Sequence, residues 1–327
     1  MAEIAEAASA DVSTVSRTLA RSPESVRTAK GKRIWEIADQ LGYRPNLTAA
    51  SLRTNATRLI AVMVPRLRDE VLALMYEGIE EELQSNGYQC IVLSTGDDER
   101  TQAAKLDLAL QRGVDGILFG DAMKGSSDFE PVRSANVPYV LFNRSLPGNV
   151  SVSCDDFRGG ALAAEHLMSV TDGDLGVYGA MDYARNLAQR AGGFISAAEG
   201  AGRRAIADFH IGGGIYAEDG MIAAQGMLEK FEPPFGVFIV NDTAAIGALG
   251  EFTRAGLVPG KDVFVVGFND ISLAKATPVS LSTIVSPTRE LGRVAATELL
   301  SALRGGASKS RTLPVELAIR ESTSRQT

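Results

Sequence analysis

Hydrogen-bonding side chains cluster at the start of a predicted short helix near the N-terminus. Asp11 is a good N-cap, and the helix that it begins runs to about Ala20. Its first two turns carry Val12, Ser13 and Arg17. A guanidinium can donate two hydrogen bonds to a guanine edge, hydroxyls bind phosphates, and a small apolar side chain contacts a thymine methyl. The cluster is suited to reading duplex DNA, although by itself it equally describes an ordinary capped surface helix.

The sequence offers no comparable set of catalytic or metal-binding residues. Two cysteines, Cys90 and Cys154, are too few for a disulfide framework or a four-thiolate site. The two histidines, His166 and His210, have no CxxC, HExxH or nucleophile-elbow neighbourhood. Gly212-Gly213-Gly214 matches neither the dinucleotide nor the P-loop fingerprint. We therefore expect no catalytic residue, no metal and no cofactor.

Charge is distributed unevenly along the 327 residues. Residues 1–58 hold nine Lys and Arg against six Asp and Glu, a net charge of +3, whereas the remainder holds 24 against 34, or −10. A basic head on an acidic body directs contact with nucleic acid to the head alone. There is no apolar run of about 18 residues, and the N-terminus is acidic where a signal peptide is basic. We expect a cytoplasmic protein without membrane contact.

Three predicted helices position the N-terminal cluster. The first runs from Glu3 to Ala8, the second begins at Asp11, and the third runs from about Val26 to Leu41, where Gly42 ends it. Two short helices joined by a tight turn and braced by a longer one predict a helix-turn-helix. Gly31 inside the third helix costs about 1 kcal/mol relative to Ala, which predicts a less stable head.

Beyond residue 58 strands alternate with helices. Leu59 to Val64 is a continuous apolar run, typical of a strand buried on both faces. Two successive sets of strands and helices predict an α/β core of two doubly wound parallel sheets, with a last strand from Leu313 to Ile319. Asn143, Asn241 and Asn269 each follow or end a predicted strand. Because such sheets bind ligands beyond the carboxyl ends of their strands, we expect a crevice between two lobes.

A series of short motifs occurs in a characteristic order: Thr14-Val15-Ser16-Arg17, Leu41-Gly42-Tyr43-Arg44-Pro45-Asn46, Ser51-Leu52-Arg53-Thr54, Gly113-Val114-Asp115-Gly116, Glu165-His166-Leu167, Asn241-Asp242, Gly267-Phe268-Asn269-Asp270 and Glu290-Leu291-Gly292. Over nearly its full length the chain resembles the LacI/GalR family of transcription regulators. The resemblance implies a helix-turn-helix domain at 1–45, a hinge helix or linker at 46–57, and a two-lobed core like that of periplasmic binding proteins at 58–327. One subdomain would comprise about 58–153 and 286–312, the other about 154–285 and 313–327.

The resemblance assigns DNA contacts to Val12, Ser13, Thr14, Ser16, Arg17, Asn46 and Leu52. Val12, Ser13 and Arg17 would read bases, and the remaining polar side chains would hold phosphates. Leu52 would wedge into a minor-groove step together with its counterpart from a second subunit. Ser9-Ala10 stands where the family commonly has a Gly-Val turn.

The family's effector pocket maps onto Val71, Leu72, Asn143, Asn186, Arg190, Ile215, Asn241 and Asn269. Arg190 would be the main donor to a ligand hydroxyl or carboxylate. Asp69-Glu70-Val71-Leu72 replaces the family's Asn-Pro-Phe-Phe, which removes an aromatic ring for stacking, and Asn143 and Asn269 stand where Asp is common. This loss of negative charge adds a sugar acid to the expected effectors, a sugar or a polyol. Asp69 and Glu70 would act against an anionic ligand if they faced the pocket, but we expect them on a solvated face.

The resemblance implies a homodimeric repressor of a carbohydrate or sugar-acid catabolic operon, bound to a palindromic operator and controlled by a small effector. Tyr76, Ile79 and Leu83 are its candidate dimer contacts. Two alternatives are a small-molecule binding protein of the periplasmic type and a nucleotide-dependent α/β enzyme. The basic head and the missing signal peptide argue against the first alternative, and the missing fingerprints argue against the second.

Overall fold

The computed structural model describes residues 1–19, 25–43, 56–125, 128–179, 181, 183–207 and 214–324. These residues divide into two units, Met1–Arg58 and Leu59–Thr327. No helix within the described ranges is long and apolar enough to cross a membrane. Asn46, Leu52 and His210 lie outside the described residues, as do 212 and 213 of the predicted glycine loop.

The first unit contains three helices, α1 (Ala2–Ala7), α2 (Val12–Leu19) and α3 (Ala29–Gln40). They share one apolar core, whose most buried side chains are Ile4, Val15, Leu19, Ile34 and Ile37. Asp11 Oδ1 accepts a hydrogen bond from the Ser13 backbone N–H at 2.7 Å, the geometry of a helix N-cap. The predicted helix-turn-helix is confirmed.

Gly31 lies in the first turn of α3 and not in the helix interior, because the helix begins at Ala29 and not near Val26. Its N–H donates to Thr28 Oγ1 at 3.2 Å, so Thr28 caps the helix. A Cβ on Gly31 would lie 2.3 Å from Val26 Cγ1. Close packing therefore requires glycine here, and the predicted cost of an interior glycine does not apply.

The second unit contains two six-stranded sheets. The first has the order β11-β5-β4-β3-β1-β2, with parallel neighbours throughout. The second has the order β12-β10-β9-β8-β6-β7, parallel except where β12 pairs with β10. The strands are β1 (Leu59–Val64), β2 (Gln89–Ser94), β3 (Gly116–Phe119), β4 (Tyr139–Phe142), β5 (Ser151–Cys154), β6 (Leu175–Tyr178), β7 (Ala205–Ile206), β8 (Phe235–Ile239), β9 (Val263–Asn269), β10 (Ser282–Val285), β11 (Arg311–Leu313) and β12 (Glu316–Ala318). The predicted α/β class is confirmed.

The described helices of this unit are α4 (Glu70–Ser85), α5 (Glu99–Gln111), α6 (Glu130–Ser134), α7 (Asp156–Val170), α8 (Arg185–Gly200), α9 (Ala217–Leu228), α10 (Asp242–Arg254), α11 (Ser272–Ala276) and α12 (Thr288–Leu303). Ile79 and Leu83 on α4 are fully buried in the chain's own core, because α4 packs against α12. They are not available to a second copy, so this part of the predicted dimer surface is wrong. Tyr76 is half-buried.

The chain passes between the two sheets three times, from β5 to α7, from β10 to α12 and from β11 to β12. The single strand predicted from Leu313 to Ile319 is in fact two short strands in different sheets. Pro314, which has no N–H for a ladder, interrupts the run between them. The subdomain bounds implied by the resemblance change at 312/313, at this segment, but the strand pattern alone predicted one undivided strand here.

Three pairs of helices contact each other through reciprocal glycines. A Cβ on Gly160 of α7 would lie 1.9 Å from the Arg190 carbonyl oxygen, and one on Gly193 of α8 would lie 1.9 Å from that of Phe157. The same arrangement joins α4 to α12 and α9 to α10, through Gly78, Gly292, Gly220 and Gly247. The helix backbones are therefore in direct contact, and a side chain at any of these glycines would prevent so close an approach.

Ser9 connects α1 to α2 with a φ of 47°, in the left-handed region that L residues avoid. We expect Ser9→Gly to raise the free energy of unfolding of the head by about 1 kcal/mol, because glycine adopts this φ without steric cost. Urea unfolding followed by the fluorescence of Trp35, the single tryptophan of the chain, measures the change. Ser16→Gly, inside α2, should instead lower stability. Equal or reduced stability of Ser9→Gly would contradict the assigned strain.

Candidate functional site

One cavity lies where strands of both sheets end. Pro65 and Arg66 follow β1, Asn143 follows β4, Asn241 follows β8, and Asn269 is the last residue of β9. The cavity has a volume of about 40 Å³, well below the roughly 300–1,000 Å³ that is typical of small-molecule sites. It is lined by all eight side chains of the expected effector pocket and, in addition, by Pro65, Arg66, Asp69, Leu187 and Thr243.

Arg190 projects from α8 to the wall of this cavity and is almost fully buried, with 3% of its surface exposed. Its Nε donates to Asp156 Oδ1 at 2.8 Å, and its Nη1 donates to the Val240 carbonyl at 2.8 Å. The guanidinium carbon lies 3.6 Å from the ring centroid of Phe268. These contacts fix the orientation of Arg190 and neutralise its charge.

Asp156 was not recognised from the sequence. It is the first residue of α7, directly after the first crossing between the sheets, and it also accepts a hydrogen bond from Cys154 Sγ at 3.3 Å. Burial raises the pKa of Asp156, and the neighbouring Arg190 acts against this shift. An aspartate pair before an apolar helix is typical of a helix cap, a role that Asp155 performs for the Arg158 N–H.

The four asparagines of the expected pocket differ in how many of their amide hydrogen-bonding positions are already used within the protein. Asn241 caps α10 through its Oδ1 and donates from Nδ2 to the Ile215 carbonyl at 2.7 Å, so its amide serves the fold. Asn186 Nδ2 donates to Asn143 Oδ1 at 3.3 Å, across the two lobes. Asn186 Oδ1 is buried and has no hydrogen-bond partner among the described residues. Asn269 Oδ1 accepts from the Ser286 hydroxyl at 3.4 Å.

Asp69 lies in the cavity wall, although the sequence analysis placed it on a solvated face. It is the N-cap of α4, and its Oδ1 accepts the Val71 N–H at 3.0 Å. Burial raises the pKa of Asp69. Glu70 is also engaged, because its Oε1 accepts the Ser272 N–H of the other lobe at 2.8 Å.

Asp242 holds the loop that carries Asn269. It is fully buried, and it accepts the Ile271 N–H at 2.9 Å and the Thr283 hydroxyl at 2.5 Å. Burial raises the pKa of Asp242 to about 6. The carboxyl therefore acts as an internal brace between β9 and β10, beneath the cavity.

In the head, Val12, Ser13 and Arg17 are exposed on one face of α2. Arg17 Nε donates to the Ser13 carbonyl at 3.3 Å, which keeps the guanidinium along the helix. Thr14 and Ser16 are half-buried beside this face. The structure thus presents the three expected base-reading side chains together at the surface.

The remaining histidine and cysteines are in structural positions. His166 Nε2 is 2.7 Å from Thr323 Oγ1, and burial lowers the pKa of His166. Cys154 is buried, and half-buried Cys90 lies 3.2 Å from the Tyr76 hydroxyl. Within the part of the chain that the structure describes, no three His, Cys, Asp or Glu side chains are grouped as metal ligands.

Comparison with known proteins gives matches for both units. Residues 1–46 match the model of the bacterial regulatory proteins of the lacI family, and residues 164–323 match that of a periplasmic binding protein-like domain. The HTH-type transcriptional repressor CytR of Escherichia coli K12 is 28% identical over 99% of this chain and 96% of its own. The ribose operon repressor of Haemophilus influenzae is 28% identical over 97% and 95%. The crystal structure of the Lac repressor dimer bound to operator and the anti-inducer ONPF has the same fold, with a TM-score of 0.84, 23% identity and 98% of each chain covered.

The head and the cavity define a ligand-responsive DNA-binding regulator whose core is of the periplasmic-binding-protein type. The chain belongs to the LacI family, and it is a transcriptional regulator and not an enzyme. The family and fold expected from the sequence are confirmed.

Removing the buried counter-charge of Arg190 should destabilise the core. We expect Asp156→Asn to lower the free energy of unfolding by about 3–5 kcal/mol, because a buried guanidinium is left uncompensated. Urea unfolding followed by circular dichroism measures this change. Asp155→Asn is the matched control: Asn is as good an N-cap as Asp, so stability should change by less than about 0.5 kcal/mol. Similar stability of the two variants would contradict the role assigned to the ion pair.

Proposed function

We propose that the chain represses a catabolic operon by binding a palindromic operator as a homodimer, and that a small carbohydrate-like effector in the cavity changes its operator affinity. The observation that carries the proposal is the polar cavity at the carboxyl ends of strands of both sheets, in a chain that also has a helix-turn-helix head. Because it acts on DNA, we place the protein in the cytoplasm.

The effector class is inferred from the cavity wall. Amide groups and a guanidinium alternate there with Val71, Leu72, Leu187 and Ile215, a mixture suited to a ligand with many hydroxyls and an apolar face. One relative regulates a ribose operon, which agrees with a sugar or a polyol. We propose that Val71, Leu72, Asn143, Asn186, Arg190, Ile215, Asn241 and Asn269 form the effector site.

Control of DNA binding follows from contacts between the lobes. The Glu70–Ser272 and Asn186–Asn143 hydrogen bonds join them, as does the Lys124 N–H donated to the Tyr183 carbonyl at 3.0 Å. A ligand that binds one arrangement of the lobes better than another shifts the population toward it. Through the residues before β1, this shift changes how the heads bind operator, a coupling between two distinct sites.

DNA contact is assigned to the head. We propose that Val12, Ser13 and Arg17 read base edges in the major groove, that Thr14, Ser16 and Asn46 hold phosphates, and that Leu52 enters the minor groove.

The homodimer is proposed because a two-fold assembly matches a palindromic operator, and the structurally similar Lac repressor has been crystallised as an operator-bound dimer. Sedimentation velocity of the full chain tests this, and a species that stays monomeric at micromolar concentration would exclude it.

Arg17→Ala should remove sequence discrimination. We expect the ratio of affinities for selected operator and random DNA to fall by about 5- to 150-fold, because a bidentate Arg–guanine contact contributes ~1–3 kcal/mol of discrimination. The ratio is measured at one salt concentration with duplexes selected by the wild-type protein. Arg33→Ala, an exposed arginine of α3, is the control and should keep the ratio. Unchanged discrimination in Arg17→Ala would show that α2 is not the reading helix.

Asn186→Leu should abolish the effector response, which is the ratio of operator affinities without and with the effector. Asn186 is a sharper target than Arg190, because truncation of Arg190 also leaves Asp156 buried without its partner. Operator binding is titrated with and without the sugar or polyol that most raises the melting temperature of the wild-type protein. Gln189→Leu, a half-buried amide on the same helix outside the cavity, is the control. A normal response in Asn186→Leu would show that the effector binds elsewhere.

A further inference from the structure

We infer that the cavity selects against anionic ligands and that Asp69 imposes this selection, so that the effector is an uncharged, polyhydroxylated molecule and not a sugar acid. The inference rests on the proposed function, because it assumes that the effector occupies this cavity. It assigns to Asp69 a specificity role that its position as a helix cap does not require.

The first argument is the charge of the cavity wall. Three ionisable side chains line it: Arg66, Asp69 and Arg190. Both arginines are paired within the protein, Arg190 with Asp156 and Arg66 with Asp97. Asp69 forms no ion pair within 4 Å among the described residues; Arg66 and Arg190 act on it electrostatically, but each forms its ion pair with another carboxylate.

Asp97 is shared, since it also binds Arg144 at 2.6 Å. Arg144 is 4% exposed and does not line the cavity. The carboxyl of Asp121, which is completely buried, interacts electrostatically with Arg144. Behind the wall, the positive charges of Arg66 and Arg144 are therefore matched by the carboxyl groups of Asp97 and Asp121. The charge that faces a ligand is that of Asp69.

The second argument is independent of charge and concerns acceptors. Asn186 Oδ1 is buried at the cavity and has no donor among the described residues. An unsatisfied buried acceptor costs free energy until a donor reaches it. A ligand hydroxyl can donate to this oxygen, whereas an ionised carboxylate has acceptors only.

The loss of the family's pocket carboxylates is therefore compensated within this chain. Asn143 and Asn269 remove negative charge from the wall, but Asp69 returns one carboxylate to it, and Asp156 neutralises the guanidinium that a sugar acid would need. An anionic ligand would lie near the Asp69 carboxylate, and both arginines among the described residues of the wall already form ion pairs.

Matched sugar pairs test the inference on the full chain. The two members of each pair differ by one carboxylate in place of a neutral group; the pairs are glucose and glucuronate, galactose and galacturonate, and sorbitol and gluconate. Calorimetric titration measures the affinity of the protein for each member. We expect the wild-type protein to bind the neutral member of a recognised pair at least about tenfold more tightly. Asp69→Asn should reduce this preference by about tenfold or more, because Asn keeps the helix cap and removes the charge.

Asp98→Asn is the matched control. Asp98 caps α5 as Asp69 caps α4, accepting the Thr101 N–H at 2.8 Å, but its carboxyl is exposed and lies outside the cavity. Its substitution should leave the preference unchanged. Asp69→Ser, which also retains an N-cap, repeats the test if Asp69→Asn does not fold.

The outcomes separate the inference from the proposed function. A wild-type preference for the acid members would overturn the inference and leave the effector site intact. A preference for neutral sugars that survives Asp69→Asn and Asp69→Ser would show that Asp69 is not the selecting residue. Failure of every neutral and acidic member to bind would reject the carbohydrate effector itself, and the inference with it.

Discussion

The direct backbone contact between α7 and α8 sets the geometry of the ligand site. Gly160 and Gly193 allow each helix to approach a carbonyl oxygen of the other so closely that a Cβ atom at either position would clash with it. Only at this separation does Arg190 on α8 reach Asp156 at the start of α7. A glycine inside a helix costs about 1 kcal/mol relative to alanine. The site therefore depends on two residues that disfavour the helices containing them.

The ion pair made possible by this contact changes the chemistry of the cavity. A buried arginine without a partner would attract anions strongly, but Asp156 and the face of Phe268 already compensate its charge. Arg190 is left as an oriented donor held against the Val240 carbonyl. Asp156 also stands at the first of the three crossings between the sheets. The Asp156 carboxylate thus orients Arg190. It also lies at a connection between the sheets, which must change conformation when the lobes move relative to each other.

Much of the fold and the membership of the cavity could be predicted from local patterns. The strand at 59–64 has the bounds that its continuous apolar run predicted. Residues at strand ends, such as Asn143 and Asn269, could be grouped because parallel strands present their carboxyl ends at one edge. Asp156 was missed because its partner is 34 residues away, and an aspartate before an apolar helix has the pattern of a cap. The sequence pattern did not show that residues around 313–319 belong to two strands. In so short a segment, the sheet to which a strand belongs depends on its pairing partners, which are distant in sequence.

By itself, the sequence determined what short-range physics controls: the helix cap at Asp11, buried strands from continuous apolar runs, and the separation of a basic head from an acidic body. The tertiary structure alone decided which polar groups remain free for a ligand. Asn241 uses its amide in the fold, Asn186 keeps an unsatisfied oxygen, and Arg190 is neutralised while Asp69 is not. The reason is physical, because the availability of a charge or a hydrogen bond depends on partners brought close in space. Those partners come from distant strands and helices, and residue spacing does not encode them.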